Sequence, residues 1–137
     1  MKTKFLLTTT FVLAALTLSA EGARWWKGNL HTHSLWSDGD DYPEMIADWY
    51  RSSGYHFLAI SDHNVLSEGE RWIHREKNAG GLRAFEKYLK RFGNDWVEHR
   101  VVEGVPQVRL KTYAEYRPKI DVPGIFLLML SQEITDQ

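Results

Sequence analysis

Asn29-Leu30-His31-Thr32-His33-Ser34-Leu35-Trp36-Ser37-Asp38-Gly39 is the stretch whose reading decides the fold, with Ser61-Asp62-His63-Asn64 as its counterpart further along. Between them they hold three of the six histidines in the chain, set beside carboxylates at the ends of two expected strands. Side chains alternate faces along a strand, so His31 and His33 point to the same side and can grip one metal ion. The chemistry this suggests is metal-assisted hydrolysis.

Outward from this stretch, the spacing predicts a strand over 27–33, a loop over 34–41 and a helix over 43–53. Asp41 is placed as the N-cap, Pro43 suits the first turn, and Gly54 suits the stop. Met45, Ile46, Trp49 and Tyr50 recur at helical spacing and form the expected apolar face. A short buried strand follows over 57–60. Strand, helix and strand in so few residues predict parallel pairing through a right-handed crossover. Further on, 68–76 and 82–92 read as helices, and 96–102, 108–111 and 125–130 as strands. The last of these delivers Glu133 at its end. The pattern is α/β, with ionisable groups falling just after strands, where α/β barrels place their active sites.

The first 22 residues read as a secretory leader. Lys2 and Lys4 precede an uncharged, largely apolar run over 5–18, and Ala20-Glu21-Gly22 is a fitting cleavage site. The run is shorter than the roughly 18 residues a membrane span needs. The expected mature chain, 23–137, is therefore exported to a periplasmic or extracellular location. A formal net charge of −1 gives no general electrostatic argument for nucleic-acid or membrane-surface binding. The absence of cysteine excludes disulfides and thiolate ligands. Any metal must be held by nitrogen and oxygen, which suits manganese, zinc, iron or magnesium.

Each group alone has an ordinary explanation. A His-x-His pair arises by chance, Asp38-Gly39 is a turn signal, and Asp62-His63 closes a strand with polar residues. Their joint arrangement resembles the PHP (polymerase and histidinol phosphatase) domain of metal-dependent phosphoesterases. The first motif is His31-Thr32-His33-Ser34 with Ser37-Asp38-Gly39, and the second is Ser61-Asp62-His63-Asn64. The family's glutamate after an apolar strand is matched by Glu133 in Ser131-Gln132-Glu133-Ile134-Thr135. Residues 67–122 would then be a connection bearing an insertion.

The resemblance implies part of a distorted (β/α)7, TIM-like barrel holding up to three divalent metals. It implies that His31 and His33 bind the first metal, that Glu133 bridges the first and second, and that Asp38 and His63 belong to the third. Asp62, on the catalytic rim, would orient an imidazole or a loop amide. The implied reaction is hydrolysis of a small phosphorylated substrate by metal-activated water. The family's later histidines and its Asp-x-His pair have no counterpart after Glu133, so a further C-terminal segment or a completing chain is expected. Two alternatives stand beside this reading: an amidohydrolase, whose barrel also opens with His-x-His, and a metal-binding fragment without activity.

His74 and His99 read as surface residues and His56 as structural. Lys27 and Arg51 read as surface charges. Trp25, Trp26 and Trp49 are expected in the core or the first strand. Trp36 either walls the metal loop or contacts substrate.

Overall fold

The computed structural model describes residues 22–136, so the leader reading of 1–22 lies outside the described residues apart from Gly22. The elements in chain order are β1 (Gly28–Asn29), α1 (Pro43–Ser52), β2 (Phe57–His63), β3 (Arg71–His74), α2 (Gly81–Phe92), β4 (His99–Val102), β5 (Val105–Leu110), α3 (Tyr113–Ile120) and β6 (Leu127–Glu133). They form two sheets of three strands, one ordered β1-β2-β6 and the other β3-β5-β4. The first sheet is parallel throughout. The second is antiparallel and lies wholly within the connection from β2 to β6. Among the described residues no helix is long and apolar enough to cross a membrane.

The strand–helix–strand unit forms with the parallel pairing its pattern predicts, with adjustments at the ends. Pro43 opens α1, and Tyr42 rather than Asp41 is its N-cap. Asp41 instead accepts from Lys87 Nζ at 2.6 Å and, through its carbonyl, from the Leu35 amide at 3.0 Å. Gly54, at φ 73°, takes the left-handed conformation that ends the helix.

The buried face of α1 differs from the expected one. Pro43, Glu44, Ala47 and Asp48 are buried, whereas Trp49 is 60% exposed. Two acids can face inward because each finds partners there. Glu44 accepts from the Tyr88 hydroxyl and from Trp96 Nε1, and Asp48 accepts from Arg51 and Arg91. Arg51 also donates to the carbonyls of Lys119 and Ile120 at the end of α3, so it is more than a surface charge.

Two apolar cores result. One packs Ala47, Leu58, Ile60, Tyr116, Ile120, Phe126 and Leu128 between the parallel sheet and helices α1 and α3. The other packs Leu35, Trp36, Tyr42, Phe85, Tyr88, Val108 and Leu110 between the antiparallel sheet, α2 and the loop after β1. Phe92 and Trp96 pack against both.

Four further expectations are corrected. The first strand pairs only over Gly28–Asn29, so His31 and His33 lie beyond it. Residues 68–76 hold strand β3 rather than a helix, because Ile73 and Arg71 pair across to Val108 and Leu110 in an antiparallel ladder. Helix α3 lies between β5 and β6, where the sequence pattern predicts no helix. Finally, Trp25 and Trp26 are exposed at 96% and 50% rather than in the core. The chain before β1 makes no ladder among the described residues; Trp26 stands edge-on to His56 with the Arg24 guanidinium over its ring.

Candidate metal centre

Parallel register carries the site. β2 and β6 pair along their whole length, which sets His63 directly beside Glu133 at the ends of both strands. The Asn64 amide then donates to the Glu133 carbonyl at 2.8 Å, and the Asn64 and Thr135 side chains and backbone close the corner.

The chain after β1 has no ladder, but Thr32 is stitched to β2. Its carbonyl accepts from the Ser61 amide at 2.7 Å, and its amide donates to Ser61 Oγ at 3.3 Å. Asn29 accepts from the His31 amide and donates to Thr32 Oγ1 and Tyr50 Oη. Thus held, His31 and His33 flank Thr32 and reach the same point.

That point is the Glu133 carboxylate. His31 Nε2 lies 2.7 Å and His33 Nε2 2.8 Å from Glu133 Oε2, and the two nitrogens are 3.1 Å apart. On its other side His33 places Nδ1 2.8 Å from Asp38 Oδ1. The His63 ring centroid is 4.3 Å from that of His33. His63 Nε2 lies 3.5 Å from Asp38 Oδ2, and its Nδ1 lies 3.7 Å from Glu133 Oε2.

Asp62 has a different place. It is 1% exposed and turned away from the cluster, onto the loop that carries His33 and Asp38. It accepts from the Ser34 amide, the Ser34 hydroxyl and the Ser37 hydroxyl. The loop closes tightly on itself as well. The Ser34 carbonyl accepts from the amides of Ser37 and Gly39, and a Cβ at Gly39 would stand 2.5 Å from the His33 carbonyl oxygen. Only glycine fits there.

The cluster is electrostatically paired. Burial alone would lower the His33 imidazole, but the hydrogen bonds and charges of Glu133 and Asp38 outweigh it and hold it above its ordinary value. Burial would raise Asp38 and Glu133, yet the neighbouring imidazoles bring both carboxyls below theirs.

Among the described residues two groups of three side chains are placed to hold a metal ion: His31, His33 and Glu133, and His33, Asp38 and His63, each with donor atoms within 4.8 Å of one another. Donors about 2.0–2.2 Å from one ion sit slightly farther apart than the 2.7–3.1 Å seen in the first group, so small outward movements complete the fit. Among the described residues His63 Nδ1 is buried without a hydrogen-bond partner and lies 3.7 Å from Glu133 Oε2, so an ion held beside Glu133 would satisfy it. His33 belongs to both groups through different ring atoms, and a neutral imidazole has one lone pair to give. With Nδ1–H donating to Asp38, Nε2 is free to ligate beside His31 and Glu133.

The other histidines lie apart from this cluster. His74 Nδ1 accepts from the amides of Glu76 and Lys77, His56 Nδ1 accepts from the Lys27 amide, and His99 packs its ring edge-on to Phe85. Trp36 is 2% exposed and donates through Nε1 to the Lys111 carbonyl, so it walls the loop and offers no face to substrate. A separate apolar hollow of about 560 Å³ lies at the opposite ends of the strands, lined by Trp26, Phe57, Phe126 and Leu127 among others.

No family model matches the chain, and no solved structure matches it. Among curated proteins it is similar to the DNA polymerase/3'-5' exonuclease PolX of Bacillus subtilis (strain 168), at 29% identity over 79 residues. The match covers 58% of this chain and 13% of that protein, so the chain corresponds to a small part of the relative it resembles.

Proposed function

We propose that this chain carries a metal centre of the PHP type and that its chemistry is hydrolysis of phosphoric esters. The observation that carries the reading is the convergence of His31, His33, Asp38, His63 and Glu133 from three separate segments onto one rim at the ends of parallel strands. The similarity to a protein named as a 3'-5' exonuclease supports the same chemistry, because an exonuclease cleaves phosphodiesters. Three parallel strands with helices α1 and α3 against one face are the arrangement that a segment of a distorted (β/α)7 barrel requires.

His31, His33 and Glu133 would hold one divalent ion, with Asp38 fixing the His33 tautomer. His63 and Asp38 would contribute to a second. When bound, such an ion neutralises phosphate oxygens and acidifies water. Manganese, zinc and iron all suit this set of imidazole and carboxylate donors. The protein's own part is to orient the two imidazoles of the first loop and to keep the Glu133 carboxylate ionised between them. The closeness of Asp38 to both His33 and His63 favours this reading over an amidohydrolase, whose His-x-His pair needs no acid there. In the same proposal the substrate is a small phosphorylated molecule met outside the cytoplasm.

The test is metal retention. Purified without chelator and equilibrated with manganese or zinc, the chain should carry at least one tightly held ion by elemental mass spectrometry. A His31→Ala/His33→Ala double variant should lose it. Equal metal content in parent and variant would sink the assignment. A chain that holds metal but hydrolyses neither nitrophenyl phosphate nor bis-nitrophenyl phosphate would instead be the non-catalytic metal binder.

A further inference from the structure

The end of the molecule opposite the metal cluster is apolar and cationic together. The parallel strands begin there, at Gly28, Phe57 and Leu127, and run in register toward His63 and Glu133. The extended chain from Leu127 to Glu133 places this end about 20 Å from the cluster. It holds the apolar hollow walled by Phe57, Phe126 and Leu127. Apolar side chains project from the rim of this hollow instead of filling it. Trp25, Trp26 and Ile125 are all exposed, Trp25 almost wholly. A tight turn thrusts Ile125 outward: the Val122 carbonyl accepts from the amides of both Ile125 and Phe126, and Gly124 takes φ 75°. Cations flank the two indoles in the run Arg24-Trp25-Trp26-Lys27. The Arg24 guanidinium lies 4.1 Å from the Trp26 ring centre, and Lys27 Nζ lies 3.9 Å from that of Tyr55, so each rests on an aromatic face. Asp121, the acid in the wall of the hollow, is paired with Arg117 at 3.1 Å. A net charge of −1 over the whole chain hides this local excess of positive charge.

We propose that this end is a membrane-docking face whose partner is an anionic lipid bilayer, with Trp25, Trp26 and Ile125 entering the interface and Arg24 and Lys27 meeting lipid phosphates. Indoles settle at the level of the headgroups, where an apolar body and a single N–H donor both find partners. Cations beside them add attraction to anionic lipid. The sequence outside the described residues favours the same partner. Residues 1–21 join the structure at this end, through Gly22, and their run over 5–18 is apolar. Removal of a leader at residue 22 would leave Arg24–Lys27 in place. A second copy of the chain suits the face less well, because a two-fold contact would stack two cationic patches on each other. Docked on this end, the molecule turns the rim that carries His63 and Glu133 toward water. The inference stands on this surface alone and does not depend on the metal centre.

Flotation of the full chain with vesicles tests this, using phosphatidylcholine and phosphatidylglycerol in equal parts against phosphatidylcholine alone. The chain should float with the mixed vesicles and bind the neutral ones several-fold less; equal binding to both overturns the anionic-surface reading. Arg24→Gln/Lys27→Gln should weaken binding to the mixed vesicles about twentyfold, since each cation near an anionic surface contributes a factor of about five. Ile125→Glu should weaken it about tenfold or more. All three positions are exposed, so melting curves of both variants should match the parent. Ile125 separates the folded face from the apolar run over 5–18, because it is remote from that run in the chain. Weaker binding in Arg24→Gln/Lys27→Gln with none lost in Ile125→Glu would assign the affinity to the N-terminal segment and overturn the docking face. If Ile125→Glu melts below the parent, Ile125→Ser is read in its place, with several-fold weaker binding expected and unchanged binding overturning the proposal. A parent that does not float with either vesicle overturns it as well. If the mass of that parent by light scattering then falls on Ile125→Glu, the occupant of the face is a second copy.

Discussion

His33 is the residue at which the site's pH behaviour is decided. Its imidazole stands between Glu133 and Asp38, which hold it above its ordinary value of 6.5, and the two carboxyls are held below theirs. For the metal-free chain the signs follow from linkage. The raised imidazole contributes stability that is fully present below about pH 6.5 and lost as pH rises through its folded value. The lowered carboxyls contribute stability that is present above their ordinary values and lost as pH falls through the folded ones. Metal binding runs the other way, because an ion needs the lone pair that the proton occupies. Raising the pH from mildly acidic to mildly basic should lower the melting temperature of the metal-free chain slightly and enlarge the increment given by manganese. Paired melting curves with and without the ion would show this, and an increment that shrinks as pH rises would contradict His33 as a ligand. At this scale the sequence was informative for the histidines and for Asp38, which are close in the chain. The joining of Glu133 to them depends on the parallel register of β2 with β6, and the turn of Asp62 toward Ser34 depends on the loop's fold.

Among the elements, those with local signals were legible and those defined by distant partners were not. The helices over 43–53 and 82–92 match α1 and α2 to within a residue, since proline, glycine and apolar spacing all act locally. The strand over 71–74 reads as helix in isolation. Only pairing with β5, which is more than 30 residues away, makes it a strand. Helix α3 is hard to see because Pro118 lies inside it, although Thr112-Tyr113-Ala114-Glu115 carries the spacing of a capping box. Glu115 accepts from both the Thr112 amide and its hydroxyl, at 2.8 and 2.9 Å. The cap matters beyond its own helix, because Tyr116 and Ile120 supply the core beneath β2 and β6. Thr112→Ala should therefore lower stability by about 1 kcal/mol, seen as a lower urea midpoint with an unchanged slope. An unmoved midpoint would mean that Glu115, through its contact with Arg109, holds the helix start unaided.

At the scale of the whole molecule, two sheets divide the work. The antiparallel sheet with α2 backs the metal loop through Trp36 and Leu35, while the parallel sheet brings up His63 and Glu133. The parallel sheet is covered unevenly. In the sheet, β6 pairs with β2 on one side only, and its other edge meets no strand among the described residues. Along and beside this edge Ile125, Leu127, Leu130 and Ile134 are exposed. Strands of parallel sheets are ordinarily buried on both faces, and an apolar edge with free amides and carbonyls is a template for pairing with another chain. The metal cluster meets this strand only at Glu133, its last residue, so association along Leu127–Leu130 need not disturb the histidines. Light scattering of the eluting chain should thus show apparent mass rising with concentration. A Leu127→Lys/Leu130→Lys variant should move it toward the monomer while keeping the metal content of the parent. Retained metal is the necessary control, since it reports that β2 and β6 still hold His63 beside Glu133. If the parent stays monomeric at every concentration, the exposed edge is too short or too twisted to recruit a neighbour. Loss of metal together with loss of association would show that the edge and the site are one cooperative unit.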